Sequence, residues 1–174
     1  MSSHDKLSTR PVSMGSNGMV TSAHPLASTA GIRILTQGGN AFDAGVAAVF
    51  TSMTSEFSLT GPGGGGIMLG MENGNLPVIY DFFVDCPRPL NNEIDFQKIS
   101  VDFGNTTQDF HIGKGSTAIP GNIAGLLDVH STKGSLPLDA ILEPAIHFAK
   151  DGMSEYATLI DASESICIEC NLID

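Results

Sequence analysis

Tryptophan is absent from this 174-residue sequence, and basic residues are scarce: 8 lysines and arginines stand against 19 aspartates and glutamates, a net charge of −11. An acidic surface repels phosphate backbones and anionic headgroups, so no nucleic-acid or membrane partner is expected. The acidic residues are spread along the chain and form no charged tail. No apolar run approaches the length of a transmembrane helix. Met1–Gly18 contains no apolar core of a secretory signal, so the chain is expected either to be cytoplasmic or to have lost its leader.

Cysteine is also sparse. Cys86, Cys167 and Cys170 are odd in number, which argues against a disulfide framework. Cys167-x-x-Cys170 is an isolated pair, without the second pair or nearby histidines of a zinc site. It also lacks the preceding strand and opening helix of a thioredoxin-type site, so these read as ordinary thiols. Other signatures are missing too: no G-x-S-x-G elbow, no H-E-x-x-H and no EF-hand loop. His130 and His147 read as helix-surface residues and His24 as a helix boundary, and neither these nor His111 has a recognisable nucleophile beside it. Asp81 and Asp85 are the one carboxylate pair placed to share acid–base work. Neither a metal nor an organic cofactor is expected.

What is present describes a globular chain, 41% hydrophobic and 16% charged. Met19–Ser22 is a candidate strand. Pro25 opens a helix at its first turn, and Leu26, Ala30 and Ile34 recur at helical spacing before Gly38-Gly39 closes it. Asn40 and Asp43 have the spacing of a capping box for a second, nearly uncharged helix over 41–53, expected to be buried. Ile67–Met71 and Leu76–Phe83 flank Asn73-Gly74, the strongest short hairpin signal. Residues 84–114 read as an irregular excursion and 116–119 as another strand. Two more helices follow, from Pro120 to Lys133 and from Asp139 to Lys150, with Pro144 expected at a helix start or a break. The layout is mixed α and β, an α+β class with no internal repeat.

The least usual feature is Gly63-Gly64-Gly65-Gly66. Without Cβ atoms, these residues let another backbone or a ligand approach closely. A phosphate loop needs Gly-Lys-Ser/Thr opening a helix, and here Ile67-Met68-Leu69 opens a strand. Close backbone packing is the simpler reading.

Several short motifs occur in one order: Met19-Val-Thr-Ser-Ala-His-Pro-Leu-Ala-Ser28, Gly38-Gly-Asn-Ala41, Thr60-Gly-Pro-Gly-Gly-Gly-Gly-Ile-Met-Leu69, Ala118-Ile-Pro-Gly121, Gly134-Ser-Leu-Pro137 and Glu143-Pro-Ala-Ile146. Together they resemble the N-terminal part of the gamma-glutamyltranspeptidase large subunit over about residues 18–153, leaving 1–17 as a flexible lead and 154–174 as a truncated tail. The resemblance implies an N-terminal-nucleophile hydrolase with a four-layer αββα sandwich, incomplete in this chain. It implies a Thr nucleophile outside residues 1–174, no catalytic residue within them, a complementary C-terminal portion or small subunit as partner, and a small peptide-like amide as substrate. The family's substrate-binding Arg aligns with Phe83 in the stretch Asp81-Phe82-Phe83-Val84-Asp85-Cys86-Pro87. Phe83, Asp85 and Arg88 are therefore the candidate substrate contacts. A phenyl ring cannot form a bidentate bond to a carboxylate, so a less charged acyl group than gamma-glutamyl is the expectation, with Arg88 the nearest compensating cation.

Overall fold

The computed structural model describes residues 14–87 and 95–152. Cys167, Cys170 and Arg88 lie outside them. Four helices and two β-hairpins follow one another: α1 (Pro25–Thr36), α2 (Ala41–Ser55), β1 (Gly66–Gly70), β2 (Val78–Phe82), β3 (Gln97–Asp102), β4 (Thr107–Ile112), α3 (Asn122–Lys133) and α4 (Leu138–Asp151). A short 3-10 turn, Lys114–Ser116, precedes α3.

Helix α1 starts where Pro25 needs no hydrogen-bond partner and where His24 Nδ1 accepts the N–H of Leu26 at 3.1 Å. It stops at a left-handed Gly38 (φ 93°), with Gly39 N–H donating to Ile34 O at 3.0 Å and Gly38 N–H to Leu35 O at 3.1 Å. The chain then enters α2 directly. Asn40 Oδ1 accepts the N–H groups of Phe42 and Asp43, and the Asp43 carboxylate accepts the N–H of Asn40 at 3.0 Å.

Helix α2 is the spine of the molecule, packed against α1, α3 and α4. Ile34, Val46, Ala47, Leu126, Val129 and Ile141 are fully buried together. Each of the larger ones contributes roughly 1.5–3 kcal/mol by leaving water. Small residues allow this closeness: a Cβ on Gly31 would lie 2.9 Å from Val20 and 3.2 Å from the carbonyl of Ala44.

Asp43 is fully buried and joins two distant segments. Besides capping α2, its carboxylate accepts the backbone N–H of Ser135 at 3.1 Å and the Ser135 hydroxyl at 2.5 Å. Asn40 Nδ2 donates to the Lys133 carbonyl at 2.7 Å, so the head of α2 is tied to the end of α3 and the loop beyond. Burial pushes the Asp43 carboxyl up. The Ser135 hydroxyl and the N–H groups of Asn40, Ser135 and Leu136 outweigh it and hold the acid below its usual range.

Hairpin β1–β2 pairs Gly66 with Phe82 through Gly70 with Val78, and turns through Glu72–Asn75 with Gly74 at φ 82°. Met68, Tyr80 and Phe82 face the helices. The opposite face is apolar and open: Ile67, Leu69 and Ile79 are 65%, 69% and 68% exposed.

Four local expectations are corrected. Residues 19–22 have no strand partner, although Val20 packs on Gly31. The excursion contains the hairpin β3–β4, whose alternating Ile99 and Val101 lie between polar positions; Lys98 and Ser100 both reach Asp109, at 2.7 and 2.6 Å. Of residues 116–119, only Ile119 pairs, as a single bridge to Asp85. Pro144 lies inside α4 with its ring buried; α4 packs Ile141, Pro144 and Ala145 inward, and that burial outweighs one missing backbone bond.

Two outcomes are expected. A carboxyl held below its unfolded value stabilises the fold above that value, and the contribution disappears as pH falls through the folded one. Denaturant titrations from pH 6 to pH 2 should therefore show stability falling in acid, while Asp43→Asn costs roughly 1.5–3 kcal/mol at neutral pH and gives a flatter acid profile. The open β1–β2 face should make residues 1–174 self-associate when expressed alone, and Ile67→Lys with Leu69→Lys should reduce the assembly size in sedimentation. A monomeric wild-type chain with a cooperative melt would contradict the second expectation.

Candidate functional site

The glycine run lies between α2 and β1 and crosses the head of α3. Gly61 O accepts the N–H of Gly64 at 3.1 Å and Nδ2 of Asn122 at 2.9 Å. Gly64 O accepts the N–H groups of Gly121 and Asn122 at 3.1 and 3.0 Å. Carbonyl oxygens of the loop thus meet the first amides of α3, and Asn122, 4% exposed, is the side chain that locks them.

Two of the four glycines, Gly65 and Gly66, have no room for a side chain, and Gly64 has little. A Cβ on Gly64 would lie 3.1 Å from Asn122 Nδ2, one on Gly65 2.8 Å from the carbonyl carbon of Phe83, and one on Gly66 2.9 Å from the Phe82 ring. Gly63 faces open space. Two glycines of the next segment complete the enclosure. Gly125, inside α3, lies directly against the Phe82 ring, and a Cβ on Gly121 would lie 2.8 Å from the Phe82 carbonyl carbon. Phe82 is thereby held between β1 and α3, with glycine backbone against its ring and the core beside it.

The chain leaves this enclosure at Phe83. Its N–H donates to Asp81 Oδ1 at 3.1 Å, and its side chain is outward, the residue 62% exposed. Asp85 then pairs with Ile119 through two backbone bonds, at 3.1 and 2.8 Å, while its carboxylate caps the N–H of Cys86 at 2.8 Å. Of the residues singled out in sequence, Gly63–Gly66, Phe83 and Asp85 thus meet at one corner. Sequence reasoning passed over Asn122, Gly121, Gly125 and Ile119 as elements of this corner. Gly125 carried a usable signal, since glycine inside a helix usually marks a close neighbour; Asn122 carried none.

Beside the corner is an open groove of about 580 Å³ between α2 and β1, lined by Val49, Ser52, Leu59, Met68, Phe82 and Asn122 among others. The described histidines stand elsewhere. His130 Nε2 is 2.9 Å from the Leu136 carbonyl, His147 pairs with Asp151 at 2.7 Å, and His111 stacks on Phe96 with ring centres 4.5 Å apart. Among the described residues, no group of three His, Cys, Asp or Glu side chains is placed to hold a metal ion. The corner offers shape, backbone rigidity and two exposed carboxylates, Asp81 and Asp85.

The arrangement of motifs has a counterpart in known proteins: the family model described as gamma-glutamyltranspeptidase matches residues 27–167. The chain belongs to the gamma-glutamyltranspeptidase family. The Acylase ACY 1 proenzyme of Pseudomonas sp. (strain V22) is 34% identical over 168 residues, which cover 92% of this chain and 28% of that protein. Glutathione hydrolase proenzyme 1 of Schizosaccharomyces pombe is 34% identical over 150 residues, covering 86% of this chain and 22% of its own. This family member therefore spans about a quarter of the length of the curated relatives it matches. The solved Helicobacter pylori gamma-glutamyltranspeptidase shares the fold, with a TM-score of 0.75 at 24% identity over 94% of this chain and 46% of that one.

The packing distances predict a graded response. Gly65→Ala and Gly125→Ala should each cost roughly 1–3 kcal/mol or more through overpacking, read as a lower urea midpoint. Gly63→Ala should leave the midpoint close to wild type, because its Cβ would meet nothing within 4 Å.

Proposed function

We propose that this chain is the front part of an amidohydrolase or acyltransferase that opens gamma-glutamyl-type or related acyl amides. The observation that carries the reading is the family match over residues 27–167. The proenzyme names of the relatives and the share of their length covered here support a complementary polypeptide as partner. The open face of Ile67, Leu69 and Ile79 supports it independently, because an apolar sheet face of this kind is normally covered. In this reading a second sheet from that partner completes an αββα sandwich.

The chemistry belongs to the partner. A threonine at a newly exposed N-terminus attacks the amide carbonyl, and its own free amine takes the hydroxyl proton, which converts a weak nucleophile into an effective one. Backbone N–H groups stabilise the tetrahedral oxyanion. The leaving amine departs protonated, and water or an amino acid then takes the acyl group from the threonine oxygen. No metal or organic cofactor enters these steps. The present chain supplies walls, with Phe83 and Asp85 as substrate contacts and Arg88 a third beyond the described residues. A second reading, a catalytically silent scaffold that only binds the complementary subunit, is favoured by the same open face.

The test is to co-express this chain with a C-terminal segment of the family and assay acyl p-nitroanilide hydrolysis. Turnover by the complex, a mass increase on one threonine of the partner, and no turnover by the 174 residues alone are expected. A complex that assembles without turnover supports the scaffold reading; amide hydrolysis by the isolated chain overturns the division of labour.

A further inference from the structure

We propose that Asn105 is an acceptor for an N-linked glycan, and that the attached sugar covers the aromatic rings beside it. The proposal is independent of the amide-hydrolase reading and holds whether or not the assembled protein is an enzyme.

Asn105-Thr106-Thr107 is the one Asn-x-Ser/Thr sequence in the chain, and its middle position is not Pro. This tripeptide is the acceptor sequence for N-linked sugar where it is presented at a surface. The fold presents it. Asn105 lies at the tip of the β3–β4 hairpin, where Gly104 takes a φ of 83° and the Phe103 N–H donates to the Thr106 carbonyl at 2.8 Å. Thr107 opens β4 opposite Asp102. Every residue from Asp102 to Phe110 is exposed. The side chains of Asn105 and Thr107 have no hydrogen-bond partner among the described residues. Asn40 and Asn122, by contrast, are committed to the Lys133 and Gly61 carbonyls.

The rings supply a second reason for a sugar at this tip. Phe103, two residues before Asn105, is 45% exposed, and Phe110 is 36% exposed. Their ring centres are 6.2 Å apart, so the two form a small uncovered aromatic patch. The face of a phenyl ring is electron-rich. It is complementary to the C–H-bearing face of an N-acetylglucosamine ring, and a sugar laid there removes apolar area from water.

The transfer needs an oligosaccharide carried on a lipid diphosphate. Asn105 Nδ2 attacks the anomeric carbon of that donor. The new C–N bond forms as the C–O bond to the diphosphate breaks, the lipid diphosphate leaves with the electron pair, and the amide gives up one proton. The oligosaccharide is transferred on the far side of a membrane, so the proposal commits the chain to the secretory route, the case in which a leader has been removed.

The experiment expresses all 174 residues behind a cleavable secretion leader in a eukaryotic host. The wild-type band should run heavy and collapse on treatment with peptide-N-glycosidase. Mass spectrometry after that treatment in heavy-oxygen water should place the mark on Asn105. Asn105→Gln and Thr107→Ala should each abolish the shift, and Thr107→Ser should retain it. The gel reads denatured chains, so these outcomes do not depend on how well each variant folds. A wild-type band that the glycosidase leaves unmoved, or a shift that survives Asn105→Gln, would overturn the proposal. Unmodified Asn105 in protein taken from its own source would do the same. Chymotrypsin reads the covering of the rings: cleavage after Phe103 should rise severalfold once the glycan is removed, and equal rates would overturn that contact.

Discussion

The carboxylate of Asp43 ties together segments more than ninety positions apart, receiving the amides of Asn40 and Ser135 and the Ser135 hydroxyl. It caps α2 and at the same time fixes the connection between α3 and α4. Gly134 is part of the same arrangement, since a Cβ there would lie 2.9 Å from Asp43 Oδ1. A buried charge survives only where hydrogen bonds replace the water it has lost, and here several donors converge on one acid. That convergence ties the head of α2 to the end of α3 and the loop beyond it.

A second constraint acts through residues without side chains. Gly65, Gly66, Gly121 and Gly125 let the β1–β2 hairpin and α3 approach closely around the Phe82 ring. The chain is thereby delivered to Phe83 with little latitude. Glycine usually loosens a chain, because it has the most conformational freedom to lose. At this corner the absence of a Cβ has the opposite consequence, because it permits contacts that immobilise the backbone. The corner combines a closely packed backbone with an exposed ring and two exposed carboxylates.

Local signals were read well where the interaction is local. His24-Pro25, Gly38-Gly39, the Asn40–Asp43 box and Asn73-Gly74 each act within about four residues, and each falls in the structure where its spacing indicates. The order of short motifs was likewise enough to point to the family. Strand pairing was harder. Ile99 and Val101 alternate as a strand should, but they lie among Asn-, Asp- and Pro-rich segments that read as loop, and only pairing with β4 distinguishes the two. Pro144 by its local cost belongs at a helix start or a break; helix α4 continues through it because the residues around it are buried against α2.

Sequence by itself determined the helix caps, the first hairpin, the mixed α and β composition, and the concentration of glycine before β1, since all of these depend on neighbours along the chain. Tertiary structure alone decided that Asp43 reaches Ser135, that Asn122 locks the glycine loop, that Gly125 accommodates the Phe82 ring, and that Phe83 stands exposed. The first three are contacts between residues far apart in sequence, the last is what remains uncovered once those contacts form, and their geometry is set by how closely two backbones can approach, a quantity that no local pattern encodes.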